Sequence, residues 1–298
     1  MRIVTRPDFD GIACAVLLHE ALAIQEPVTW VEPNDMQKGR VVIQPGDVIA
    51  NLPYHPACSL WFDHHFSNRI DTPFQGEYRI APSAAGIVFD YYKERFKKDF
   101  GELAAAADKI DSADLSSDEV LQPEKYPYIL VSMTVKGHQK EDEPYWNTLV
   151  DLFREQELSD ICGHGEVQAR CQAVIRENRL FGEILQRHTT VDRHVSITDL
   201  RSFDRAPSGN RFLVYSLFPQ AVVSVKIRYD DRNREKIIVS VGHSIFNRNC
   251  RVNVGKMLSA FEGGGHRGAG ACSFHYSKAD DYINEIVEIL LRNEPNDP

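Results

Sequence analysis

The sequence predicts an α/β protein: an N-terminal, mostly parallel sheet flanked by helices, followed by a smaller C-terminal α/β domain with a mixed sheet. Three observations carry this reading. Short apolar runs alternate with longer helical patterns through the first half, as in a chain of βαβ units. β-Branched runs dominate the second half. The length of 298 residues is about twice that of a typical domain. The texture changes near residue 190, which divides the chain into residues 1–186, a linker at 187–193, and residues 194–298.

In order, residues 2–5 read as a strand, 11–25 as a helix, and 28–31, 48–52 and 59–62 as further strands, each brief and ending at polar or turn residues. Helical patterns follow at 83–96, with Pro82 suited to the first turn, and at the alanine-rich stretch 101–110. Two more cover 145–157 and 166–186. In the second half, 195–200, 221–229, 236–241 and 271–275 have the composition of strands, and 253–261 and 278–292 the pattern of helices. The acidic tail 293–298 reads as a frayed end.

Hydrophobic content of 43% with 26% charged residues is that of a globular chain and excludes a disordered or fibrous one. A net charge of −9 argues against a protein that coats long duplex nucleic acid by bulk electrostatics. The six cysteines include no C-x-x-C, so neither a zinc site nor a disulfide scaffold is signalled. The longest nearly unbroken apolar run, 12–18, is too short for a bilayer, and no charged leader precedes an apolar stretch. A cytoplasmic protein with reduced thiols and no membrane partner is expected.

Four constellations carry chemistry. The first is Arg6-Pro7-Asp8-Phe9-Asp10-Gly11, directly after the first strand. Ligands of open α/β sheets lie outside the carboxyl ends of the strands, and two carboxylates on one turn suit a divalent cation, although the same turn is also what caps a helix. The second is Phe62-Asp63-His64-His65-Phe66 at another strand end. Adjacent imidazoles there are natural metal ligands or phosphate donors, where a surface loop would be the plainer reading. Third, Asp108 and Asp111 share a helix face, so one or both can point into the same crevice. Asp114 fits the start of the next helix instead. Fourth, Gly263-Gly264-Gly265-His266-Arg267-Gly268 forms a glycine-rich turn whose amides, imidazole and guanidinium suit an anion. Arg248, shortly before it, is a further candidate for an anionic substrate. His138, His164 and His188 receive no role, and the three tryptophans read as core.

In order and spacing, D-x-D-G, D-H-H, an acidic helix end and G-G-G-H-R-G resemble the DHH phosphoesterase superfamily, closest to its short nanoRNase-like and exopolyphosphatase-related members. The resemblance covers nearly the whole chain. It implies a metal-dependent phosphohydrolase that cleaves a small phosphodiester or phosphoanhydride between two domains: a short oligonucleotide, a phosphorylated nucleotide or a short polyphosphate. It also implies Mn2+, in one or two copies, with Mg2+ as the alternative, and leaves a homodimer as one open assembly.

Carried over by position, Asp8, Asp10 and Asp63 become metal ligands, with His64, Asn51 and a further carboxylate from Asp108 or Asp111. Asp63, His64 and His65 become the catalytic group. Arg6, Gly263, Gly264, Gly265, His266, Arg267 and Arg248 become substrate contacts. Two positions depart from the family pattern. Arg6 and Val4 stand where a histidine or acidic residue is usual, and Asn51 replaces a bridging aspartate for which Asp47, at the wrong end of the strand, cannot substitute. A neutral amide is a poorer bridge between cations, which raises a second reading: a phosphate- or nucleotide-binding member with little catalysis. A plain α/β interaction protein is the third.

Overall fold

A computed structural model describes residues 1–137 and 140–297; His138 lies outside the described residues. Two compact units emerge, one of residues 1–115 and 123–174, the other of 116–122 and 175–297.

The first unit is built on β1 (Ile3–Thr5), α1 (Phe9–Leu22), β2 (Thr29–Trp30), α2 (Pro33–Gln37), β3 (Val48–Ala50), β4 (Leu60–Asp63), β5 (Gly76–Tyr78), α3 (Ala84–Tyr92) and α4 (Gly101–Asp111). Its five strands are all parallel, in the order β2-β1-β3-β4-β5. This order places a topological switch between β1 and β3, where the connections leave in opposite directions and open a crevice at the carboxyl ends. Strands of two to four residues suffice because β1 and β3 are wholly buried. Helix α1 is apolar on every side and buried along nearly its whole length, as a central helix must be. β5 is absent from the sequence expectation. At three residues it has no alternation to read, and its Tyr78 is placed by stacking on Trp61, centroids 5.4 Å apart.

Next come α5 (Ser117–Leu121), α6 (Pro127–Ser132), α7 (Glu143–Glu155), α8 (Leu158–Gly163) and α9 (Gly165–His188). The capping box of α5 uses Ser116 and Glu119, so Asp114 stands outside that helix start. α5 belongs to the second unit, where Asn178 donates to the Val120 carbonyl.

The second unit adds β6 (Thr189–Asp192), β7 (Val195–Asp199), α10 (Leu213–Leu217), β8 (Val223–Tyr229), β9 (Lys236–His243), α11 (Val254–Leu258), β10 (Gly263–His266), β11 (Ala269–His275) and α12 (Ala279–Arg292). They form a mixed sheet, β10-β11-β9-β8-β7-β6, in which only β7 and β8 pair in parallel. The inward residues of β8 and β9, Val223, Val225, Ile227, Ile237, Val239 and Val241, share a core with residues of α11 and α12.

Three local features differ from the sequence expectation. Residues 187–193 are not a free linker: they are the end of α9 and strand β6, which pairs with β7. The triple glycine is strand, not loop, because Gly263–His266 pairs with Ala269–Cys272 in a hairpin. The tail is docked. Asn293 exchanges bonds with the Arg251 amide (2.8 Å) and the Asn249 carbonyl (3.0 Å), and Asn296 with both backbone groups of Asn253 (2.6 and 3.1 Å). Asp297 pairs with Arg267. Carboxamides copy the donor and acceptor of a peptide group, which lets side chains complete what a strand would.

Candidate functional site

The site assembles at the carboxyl ends of β1, β3 and β4. After β1 the chain turns through Arg6 and Pro7 so that Asp8 caps α1, its Oδ1 accepting from the Gly11 amide at 2.8 Å. Gly11 is required there: a Cβ would stand 1.8 Å from the Arg6 carbonyl oxygen. One turn of backbone thus aims Asp8 and Asp10 from adjoining positions.

Asp10 is 2% exposed. It is held from behind by the first turn of α3, whose Ala85 and Ala84 amides donate to Oδ1 (2.8 Å) and Oδ2 (3.0 Å). Ser83 caps that helix and donates to Asp108 Oδ1 at 2.6 Å. Asp108 Oδ1 is thereby engaged at the start of that helix. Asp111, one turn further along α4, is the acidic residue grouped with Asp10 and His64.

His64 Nδ1 donates to the Ala81 carbonyl at 3.0 Å, which leaves the lone pair on Nε2. That atom lies 3.3 Å from Asp111 Oδ2 and 3.8 Å from Asp10 Oδ2, and is buried with no hydrogen-bond partner. His65 Nδ1 is held by Asp63 Oδ1 at 2.8 Å, while Asn68 donates to Asp63 Oδ2 at 2.7 Å. Asp63 is fully buried with both oxygens engaged, which suits it to orienting His65. Its hydrogen bond raises the His65 pKa above the usual imidazole value against the opposing effect of burial.

These residues fit a divalent cation. Two carboxylate oxygens and an imidazole nitrogen converge within coordinating reach of one another, the donor set of a divalent-cation site. The histidine is oriented by a backbone carbonyl, as metal-ligating histidines are. The carboxyl of Asp10 is pushed well above its usual range, first by burial and then by Asp111 and Asp8. Asp8 is raised to about 6, by burial above all, with Arg6 and the Gly11 amide pulling the other way. In both, burial away from water is the leading cause, because it disfavours the charged carboxylate.

The two departures meet at Asp8. Arg6 Nε is 3.2 Å from its Oδ2, and Asn51 Nδ2 donates to its Oδ1 at 2.9 Å. Asn51 follows β3 in the left-handed region, φ +56, and is 1% exposed. Asp47 lies before β3 and is bonded to Arg2 at 2.7 and 3.0 Å, away from the site.

In the second unit, Gly265 has φ +151, and a Cβ on it would meet the Ala269 carbonyl oxygen at 2.4 Å, so glycine is what lets β10 fold back on β11. Gly264 faces open space, and His266, Arg267 and Arg248 are exposed. Residue reading missed Ser83, Asn68 and the Ala81 carbonyl. The signal for Ser83 was present, since Pro82-Ser83 ahead of an apolar helix is a cap signature.

No protein-family model matches the chain, and neither does any curated protein. Among solved structures, the pGpG-specific phosphodiesterase PggH of Vibrio cholerae superposes with a TM-score of 0.88 at 31% identity, covering 98% of this chain and 99% of that one. The chain belongs to the DHH phosphoesterase superfamily. It is a phosphoesterase of that group.

More distant DHH proteins share the fold. An exopolyphosphatase-related protein of Bacteroides fragilis has a TM-score of 0.54 at 14% identity, over 96% of this chain and 91% of that one. RecJ of Thermus thermophilus, crystallised with Mn2+, has a TM-score of 0.59 at 12% identity, over 98% of this chain and 52% of that one. Among the described residues, no helix is long and apolar enough to cross a membrane.

Proposed function

We propose that this DHH protein hydrolyses a short linear phosphodiester, with pGpG the first substrate to try and two molecules of GMP the product. The observation that carries the reading is the unpartnered His64 Nε2 facing Asp10 and Asp111. The 31% identity over 98% of the chain to a pGpG-specific phosphodiesterase supports the substrate class.

In this reading Asp10, His64 and Asp111 hold a divalent cation, Mn2+ or alternatively Mg2+. Bound there, it supplies charge against the phosphate and acidifies a coordinated water. The amides of α3 keep both Asp10 oxygens fixed, and the Ala81 carbonyl keeps His64 in its ligating tautomer. Asp63 holds His65 through Nδ1 and leaves Nε2 for substrate. Residues 1–186 carry the chemistry, while 194–298 bind substrate through Gly263 to Gly265, His266, Arg267 and Arg248; the exposure of these three side chains supports that part. A cytoplasmic location and a homodimer belong to the same proposal, the former supported by six free cysteines.

Purified protein with Mn2+ is expected to convert pGpG to GMP. Asp10→Ala and His64→Ala should each lose at least about a hundredfold in kcat, since even groups behind metal ligands are worth about 10–100-fold. The tie of Asp8 to Arg6 and Asn51 favours the alternative, a nucleotide-binding member with little catalysis. Mn2+-loaded protein that turns over neither pGpG nor short oligonucleotides, phosphorylated nucleotides or short polyphosphate would establish it instead.

A further inference from the structure

We propose that this centre takes one divalent cation and that the Arg6 guanidinium serves in place of a second. The inference rests on the hydrolytic reading above and gives Arg6 its part in it.

Charge leads to this conclusion. Asp10 and Asp111 face Nε2 of His64, whose side chain is 9% exposed, and two carboxylates match the charge of one dication. Asp63 is committed to His65 and Asn68. The remaining acid, Asp8, already has its cation in Arg6 Nε at 3.2 Å. Its oxygens are also occupied: Oδ1 accepts from the Gly11 amide and from Asn51 Nδ2, which fills both lone pairs of that atom. The Asn51 orientation is forced, because the reverse would set its carbonyl oxygen against Asp8 Oδ1. What remains beside Asp8 is the buried, unpartnered Oδ1 of Asn51, a neutral acceptor that does nothing to balance a second dication.

Geometry assigns the work of the guanidinium. The closest contact with Asp8 is through Nε, and the two terminal amino groups of Arg6 make no hydrogen bond among the described residues, on a side chain that is 39% exposed. A planar fork anchored at one end and open at the other fits two non-bridging oxygens of a phosphate. Such a charge is part of the chain and needs no ion from solution.

The test uses the full chain, with Mn2+ binding followed by equilibrium dialysis and elemental analysis, and GMP binding by calorimetry. Wild type is expected to hold one Mn2+ per chain. His64→Ala should lose it, as should Asp111→Asn, which alters a partly exposed position and spares the core. Arg6→Ala should keep its Mn2+ yet bind GMP at least about tenfold more weakly, a loss of about 1.4 kcal/mol. The double variant Arg6→His, Asn51→Asp should bind a second ion. Aspartate tolerates the left-handed backbone at 51, so that protein should fold, with its melting curve as the check. Two ions on wild type, unchanged GMP affinity in Arg6→Ala, or one ion on the double variant would each overturn the proposal. Absence of turnover, with one ion and Arg6-dependent GMP binding, would overturn the hydrolytic reading and leave this one standing.

Discussion

Ser83 carries more of the site than its size suggests. It is fully buried, its Oγ accepts from the Gly86 amide at 2.9 Å and donates to Asp108, and the helix start it caps grips Asp10. Ser83→Ala should cost about 1 kcal/mol, the usual worth of such a cap, read as a lower melting temperature in chelator. Its Mn2+ affinity should fall about 10–100-fold in titration, because the amides behind the ligand lose their frame. Among single residues, the aspartates and histidines at strand ends were legible from the sequence. The choice between Asp108 and Asp111 was not, since a spacing of three puts both on one helix face. What separates them is that Asp108 meets Ser83, 25 positions away, and no local pattern reports such a contact.

At the scale of elements, β1, β3, β4 and α1 were legible because buried strands and a central helix leave unbroken apolar runs, whereas the half-buried β5 was not. The hairpin of β10 and β11 was not, because glycines carry no period. The same hairpin predicts a cost: Gly265→Ala should destabilise the protein by about 2 kcal/mol or more, from the Cβ contact with the Ala269 carbonyl and the positive φ, measurable by urea unfolding. The link of β1 to β3 through Arg2 and Asp47 has a pH signature. Burial alone would raise the Asp47 carboxyl, but the Arg2 hydrogen bonds and the Gln44 amide bring it below the usual value. A folded pKa below the unfolded one contributes stability above about pH 4, lost as pH falls through the depressed folded pKa. Asp47→Asn should therefore cost about 1–2 kcal/mol near neutral pH, with the difference from wild type closing in strong acid.

Over the whole molecule, two α/β units were readable from the change in strand texture, but their division within α9 was not, because a 24-residue helix shows no break in pattern where one core ends and another begins. The thiols give a global check on packing. Burial raises Cys171 and Cys272 to about 11 and Cys14 well above its usual value. Alkylation of native protein should label Cys58, Cys162 and Cys250 and spare these three, with all six reacting in denaturant; early labelling of Cys272 would contradict the second core. The docked tail bears on how the protein is handled at the bench. Residues 293–297 are knitted to 249–253 and to Arg267, so an affinity tag fused at the carboxyl end pulls on those stitches. Met1, 55% exposed, is the end on which to hang it.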